Sequence, residues 1–286
     1  MICRVCGAEA KLIHFGTRDR KDIDVYECSI CHTKQLDKVG TNDYENGYMN
    51  GKLGMALSEI QERLRECEKD DFRRAEYIKP LIEDKSVLDF GCGFGGFLKR
   101  IKYVSREIGG VELGYDELNY MKSMGIKCYS VIEEHHRKWD YITLFHVFEH
   151  LNEPLAWLKR LYYNLEDDGR LIIEVPNGND ALLSLYDSKS FADFTFWSAH
   201  LFLYTIESFE YLINMGGLFQ IERKEQIQRY PLANHLYWLS KGKPGGQNIW
   251  SFLDDDDINC IYKKLLEKNN YCDTLLFILK KRSCSS

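Results

Sequence analysis

Two hydrophobic rhythms alternate along this chain. Short, nearly continuous apolar runs close on turn-forming residues at 86–89, 108–111, 126–129, 139–145, 169–175 and 273–280, and a further strand with polar alternation is expected at 218–228. Runs of that length without polar alternation predict strands buried on both faces. Between them, apolar residues recur every three or four positions at 53–68, 71–83, 97–101, 115–124, 154–165 and 206–215, which predicts amphipathic helices. Pro154 suits a first helical turn and Thr205 an N-cap. Strands that alternate with helices in this way predict an open, largely parallel α/β sheet covered on both faces.

The connection after the first strand is the most informative. Asp89 closes the apolar Val87-Leu88, and Gly91, Gly93 and Gly95 follow at alternate positions before a helix begins. Glycines let the turn be sharp and let a ligand approach the backbone. The amides at the helix start then face a polar ligand. Glu112 ends the next strand, where a carboxylate can accept hydrogen bonds from both hydroxyls of a ribose.

The first forty residues read as a separate unit. Cys3-x-x-Cys6 and Cys28-x-x-Cys31 supply four thiolates, a set that closes a tetrahedral structural zinc site and leaves no position for catalysis. His14 and His32 are then expected to be solvated rather than ligands. Of the other six cysteines, Cys67, Cys92, Cys128, Cys260, Cys272 and Cys284, each stands alone, as thiols of a reducing compartment do. Residues 41–52 are rich in turn formers yet carry Tyr44 and Tyr48, which suit either a lid over the ligand or a packed linker.

Composition narrows the partners. A formal net charge of −6 over 286 residues gives no general attraction to a nucleic-acid backbone. No apolar run is long enough to span a bilayer and no secretory h-region opens the chain, so a cytoplasmic protein without membrane insertion is expected. Asp254 to Asp257 fits the solvated start of a helix.

VLDFGCGFGG, the later GVEL, WDYITLFHVFEHL and GRLIIEVPN resemble the class I S-adenosylmethionine (SAM) dependent methyltransferases over roughly residues 70 to 280. The G-x-G-x-G spacing, with an acidic residue two positions ahead, favours SAM over a nicotinamide cofactor. The resemblance implies a Rossmann-like seven-stranded sheet whose last strand is antiparallel, with helices on both faces and a small N-terminal zinc ribbon beside it. It divides the chain into the ribbon at 1–40, a linker with N-terminal helices at 41–85, and a methyltransferase domain at 86–286 with insertions at 178–204 and 229–253. It assigns Asp89, Gly91, Gly93, Gly95, Glu112, Leu113 and Phe145 to the cofactor.

The fourth strand delivers His146, Glu149 and His150 at the sheet edge where ligands of such folds bind. If a helical turn starts there, the three share one face; Glu149 and His150 could equally hold the loop. His200 follows in an aromatic-rich insertion suited to roofing the cofactor and shaping an acceptor pocket. Further on, Arg229, Tyr230, Asn234 and His235 offer hydrogen bonds, Trp238 and Trp250 offer flat faces, and Lys241, Lys243 and Gly245-Gly246 could approach phosphate. That set suits a carbohydrate acceptor.

A hydroxyl acceptor needs a base, and histidine titrates in the right range. His146, His150 and His200 are therefore the candidate bases, with Glu149 as orienting carboxylate. No alkaline-earth cluster is evident, so metal activation is not expected. The resulting expectation is O-methylation of a sugar, nucleotide-sugar or phosphorylated precursor of a surface polysaccharide. An RNA methyltransferase guided by the ribbon, a C-methyltransferase acting on a keto-sugar, and a binding protein without turnover remain the alternatives.

Overall fold

The structure is a computed structural model that describes residues 1–39 and 54–282. Tyr44 and Tyr48 lie outside the described residues. Two sheets organise the chain. The larger has seven strands: β4 (Ser86–Phe90), β5 (Glu107–Val111), β6 (Lys127–Tyr129), β7 (Trp139–Phe145), β8 (Leu165–Pro176), β10 (Phe219–Ile227) and β11 (Thr274–Lys281). Their order across the sheet is β10-β11-β8-β7-β4-β5-β6. From β8 to β6 all neighbours are parallel, while β11 runs antiparallel to both β8 and β10. This is the α/β architecture expected from the strand and helix alternation.

Burial explains the apolar runs. All five residues of β4 are buried, including Ser86 and Asp89, because helices cover both faces of the parallel part. On one face, α1 (Leu57–Ile82) and α2 (Gly96–Ile101) pack Ala75, Ile78, Ile82, Leu98 and Ile101 against Val87 and Ile172. On the other face, α4 (Pro154–Asn164) and α7 (Ile206–Gly216) bury Leu158, Leu161, Phe209 and Leu212 against Leu88, Leu144 and Phe277. Thr205 caps α7 in a reciprocal pair with Ser208, an arrangement worth about 1 kcal/mol. The third helix, α3 (Tyr115–Ser123), bridges β5 and β6.

Two helices were expected across 53–83 and one is present. No helix breaker interrupts α1 before Pro80, which stands in the last turn, so the chain passes through Lys69 and Asp70 without a bend signal. The uninterrupted helix carries Arg73 and Arg74 onto the sheet. Both guanidiniums converge on Glu174 of β8, with N to O distances from 2.7 to 3.0 Å.

The smaller sheet joins the N-terminal unit to the rest. β1 (Ala10–His14), β2 (Val25–Cys28) and β3 (Lys34–Leu36) are antiparallel, and β3 pairs with β9 (Phe202–Leu203) from the far side of the sequence. The ribbon is therefore not closed on itself. Arg4 reinforces the seam, donating to Asn152 Oδ1 at 3.0 Å and to the carbonyls of Leu36 and Leu201, with its guanidinium over the Phe202 ring.

The insertion holds α5 (Ala181–Ser184) and α6 (Lys189–Thr195) before β9. After β10 come α8 (Leu232–Lys241), α9 (Gly246–Ile249) and α10 (Asp256–Lys268), which lead into β11. Asp255 caps α10, with Asp256 and Asp257 in its first turn, as the acidic run suggested. Among the described residues no helix is long and apolar enough to cross a membrane.

Candidate active site

Two cavities open at the carboxyl edge of the parallel strands, where helix starts and loops leave backbone polar groups facing a ligand. The larger, about 750 Å³, is lined by Gly91 after β4, Glu112 and Leu113 after β5, Ser130 to Ile132 after β6, and Val147, His150 and Trp157 beyond β7. The smaller, about 390 Å³, lies between the insertion and α8. His146 lines both.

The larger cavity owes its shape to backbone. Gly91, Gly93 and Gly95 all hold positive φ, and a Cβ at Gly91 would lie 2.3 Å from Val147 Cγ2. Gly93 is open where its Cβ would stand, and its N–H donates to Glu112 Oε2 at 2.8 Å. Glu112 Oε1 accepts from the amides of Leu113 and Gly114 at 2.7 and 3.1 Å. Three amides thus aim the carboxylate, and its remaining lone-pair capacity is left for a ligand.

Asp89, Gly93, Gly95 and Phe145 stand behind the cavity rather than on its wall. Asp89 is buried beneath the glycine turn and accepts from Thr143 Oγ1 at 2.7 Å; burial pushes its carboxyl up to about 7. Phe145 packs edge-on against Phe97, with the Arg74 guanidinium over its other side. Sequence reasoning missed Trp157 and Arg160 of α4, which line this cavity and which ordinary helix periodicity conceals. Cys92 and Cys128, expected to stand alone, have sulfurs 3.5 Å apart behind this cavity.

The histidine cluster forms differently from the expected helical turn. His146 ends β7 at φ +55°, in the left-handed region, and the short 3₁₀ turn Phe148–His150 begins two residues later. The kink still brings the side chains together. His146 Nδ1 is 3.5 Å from Glu149 Oε1, and its Nε2 is 3.4 Å from Glu174 Oε1. His150 Nε2 is 4.0 Å from Glu149 Oε1 and its Nδ1 is 2.7 Å from the Ala199 carbonyl. The His200 ring lies 5.0 Å from that of His150.

Glu149 is fully buried, and neither of its oxygens has a hydrogen-bond partner among the described residues. Desolvation pushes its carboxyl up, but His146 and His150 outweigh that and hold it near 2. His200 is held down to about 3 by burial despite the nearby Glu149.

Side chains from four parts of the chain wall the smaller cavity. Arg18 comes from the cysteine unit, Phe191 and Phe194 from α6, Arg229 and Tyr230 from the loop after β10, and Asn234, His235 and Trp238 from α8. Arg18 lies over Trp197 at 4.4 Å and Phe194 at 5.2 Å, and its backbone N–H donates to the Phe196 carbonyl. Next to it, Asp19 accepts from the backbone and hydroxyl of Ser198. Arg229 is pinned by Asp273 and Asp70 at 3.2 and 3.3 Å.

The segment 228–250 is helical, and several of its polar groups have structural partners. Asn234 Oδ1 accepts from the amides of Gly245 and Gly246, holding α9 against α8. His235 pairs with the Tyr262 hydroxyl at 2.7 Å and with Gln228 at 3.2 Å. Gly246 permits close helix contact, since a Cβ there would lie 2.1 Å from the Ala233 carbonyl oxygen. Trp238 is buried against Phe191 and Phe194, and Trp250 packs on Tyr237 away from the cavity.

The four cysteines do converge. Cys3 and Cys31 sulfurs are 3.7 Å apart and those of Cys6 and Cys28 3.4 Å, against about 3.8 Å between ligands 2.3 Å from a tetrahedral zinc. Amides of Val5, Ile30 and Cys31 point at sulfurs of this cluster, which suits thiolates. The set could hold a zinc ion. His14 is tied to Gly16 and Asp193, and His32 to Glu27, so neither turns to the cluster.

Comparison with known proteins gives the family and the fold. A family profile described as a methyltransferase domain matches residues 60–218, more than half of the chain. The ubiquinone biosynthesis O-methyltransferase of Yersinia enterocolitica is 24% identical over 109 residues, which cover 34% of this chain and 45% of that protein. The chain thus spans less than half the length of that curated relative. Among solved structures, a chain of the Haloferax volcanii complex between the Trm112 methyltransferase activator and a methyltransferase superposes with a TM-score of 0.52 at 13% identity. The superposition covers 77% of this chain and 94% of that one. A SAM-dependent methyltransferase from Archaeoglobus fulgidus gives a TM-score of 0.49 at 20% identity, over 80% of this chain and all of the other. With the family profile covering most of the sheet described above, the chain belongs to the methyltransferase-domain family and is a class I SAM-dependent methyltransferase.

Proposed function

We propose that the enzyme methylates a hydroxyl of a small polar acceptor, a sugar, nucleotide-sugar or phosphorylated sugar of the kind used in surface-polysaccharide synthesis. The observation that carries this reading is the position of His146, which lines the cofactor-sized cavity on one side and the smaller cavity on the other. A cavity of about 390 Å³ suits a monosaccharide-sized group. Its wall combines aromatic faces with Arg18, Arg229 and Tyr230, which suits a ring bearing hydroxyls and an anionic substituent.

SAM, when bound, supplies an electrophilic methyl on a sulfonium that is displaced in line. The residues of the larger cavity fit it. Glu112, already aimed by three amides, is placed to receive ribose hydroxyls, and Gly91 and Gly93 leave the backbone open beside it. Leu113 and Ser130 to Ile132 supply the wall for the adenine, while Asp89, Gly95 and Phe145 support the turn from behind.

His146, through Nδ1, since its Nε2 is buried beside Glu174, takes the proton of the acceptor hydroxyl as the oxygen–carbon bond forms and the carbon–sulfur bond breaks. Glu149 and Glu174 flank its ring and stabilise the imidazolium that results. Arg73 and Arg74 hold Glu174, so α1 fixes one side of the base. His150, bound to the Ala199 carbonyl, and the half-buried His200 serve as positioning residues. Cys3, Cys6, Cys28 and Cys31 hold a structural zinc, and the unit built on it presents Arg18 to the acceptor.

The test is transfer of labelled methyl from SAM, offered in parallel to a mixture of nucleotide-sugars and sugar phosphates and to unmodified total RNA. Label in the small-molecule fraction is expected. Label confined to RNA would overturn the acceptor class.

A further inference from the structure

We propose that Glu149, His150 and His200 form a second metal site, for a divalent first-row transition ion, at the seam between the two cavities. The starting point is an unexplained charge. Glu149 is completely buried, and neither carboxylate oxygen receives a hydrogen bond among the described residues. Buried polar groups that receive no hydrogen bond are rare, and a buried carboxylate with only the longer His146 and His150 contacts is costly. His200 Nδ1 is likewise buried without a partner. Two residues with unsatisfied buried ligand atoms therefore belong to one cluster.

The geometry suits an ion. One ligand atom from each of the three residues lies within 4.8 Å of the others. Ligands at about 2.0–2.2 Å from a common ion would draw these atoms together by roughly an ångström. His150 Nδ1 is fixed at 2.7 Å from the Ala199 carbonyl, which orients the ring with Nε2 toward Glu149. That backbone contact is the usual second partner of a metal-bound imidazole. Both ligand segments are held: the 3₁₀ turn starts three residues after β7 ends at Phe145, and Asp19 grips Ser198 just before His200.

Two imidazoles and one carboxylate favour a transition ion over magnesium or calcium, which prefer all-oxygen sites. No alkaline-earth cluster is evident in the sequence, and a mixed set divided between residues 149–150 and 200 leaves no local signal there. His150 lines the cofactor cavity and His200 the acceptor cavity, so the open side of the ion faces the place where an acceptor oxygen would sit. Its role toward the acceptor rests on the O-methyl reading; the ion site itself rests only on the cluster.

Cobalt(II) added to the full, metal-stripped chain separates this claim from the activity. Thiolate coordination at the four cysteines gives sulfur-to-cobalt charge-transfer absorption, whereas a nitrogen and oxygen site gives only weak d–d bands. The expected titration takes up about two equivalents, one with charge-transfer absorption and one without. Glu149→Gln and His200→Asn should each remove the second event and keep the first, which also reports that the N-terminal unit is folded. A wild-type chain that binds only the thiolate equivalent would overturn the proposal, because the imidazoles alone would then be balancing Glu149. A second event that survives both substitutions would overturn it too. Neither result depends on SAM or the acceptor, so the methyltransferase reading stands or falls separately.

Discussion

The two cavities that meet at His146 are made of different material. The larger is assembled from backbone, through three glycines at positive φ, amides that aim Glu112, and loops that leave consecutive parallel strands. The smaller is assembled from side chains contributed by the cysteine unit, the insertion, the loop after β10 and α8. A backbone site is fixed by the fold and suits a ligand that never changes. A side-chain site can be altered residue by residue, which is where acceptor selectivity would reside.

The contrast can be broken on either side. The largest effect on ligand binding is expected at Glu112. Exchange for alanine removes the acceptor of three amides and of the ribose, and SAM affinity measured by calorimetry should fall about 100-fold. Unchanged affinity would detach Glu112 from the cofactor.

Arg18→Ala should leave SAM affinity alone and raise the acceptor KM roughly tenfold, the loss of one charge-assisted contact. Removing the zinc proposed at the four cysteines with a chelator should do the same through a different route, since β3 and β9 share a sheet and Asp19 grips the insertion. If chelation instead weakened SAM binding first, the coupling would run to the wrong cavity.

The smallest effect concerns Asp180, which lines the smaller cavity and caps α5 by accepting from Leu182 N. Desolvation, then the nearby Asp273 charge, push its carboxyl up to about 8, with Arg229 opposing. The native state therefore holds a proton that the unfolded chain releases near pH 4. Stability contributed by this group is full below that pH and is lost as pH rises toward 8. Asp180→Asn keeps the cap and should flatten this decline, with a melting temperature higher by about 2–4 °C at pH 8 and unchanged at pH 4. An equal shift at both values would assign the effect to packing.

The same difference in material governs what the sequence disclosed. Strand runs, the glycine turn, Glu112 and the paired cysteines are local signals, and β7 occupies 139–145 as its apolar run indicated. The acceptor wall is a product of long-range contacts. Nothing near Arg18 in sequence announces Trp197, and nothing near β3 announces β9. Polar residues at 228–250 looked free because their partners, Tyr262, Asp273 and the α9 amides, come from elsewhere in the chain. His146 was legible as a residue at a strand end. Its place between two cavities was not, because the second cavity needs the insertion.

The central claim is that His146 works where the two ligands meet without holding the cofactor. The most direct measurement compares wild type and His146→Ala for single-turnover methyl transfer to the labelled small-molecule acceptor, alongside the SAM dissociation constant. The account predicts transfer slowed about 10²- to 10⁴-fold with SAM affinity unchanged. Transfer at the wild-type rate, or a loss explained wholly by weaker SAM binding, would contradict it.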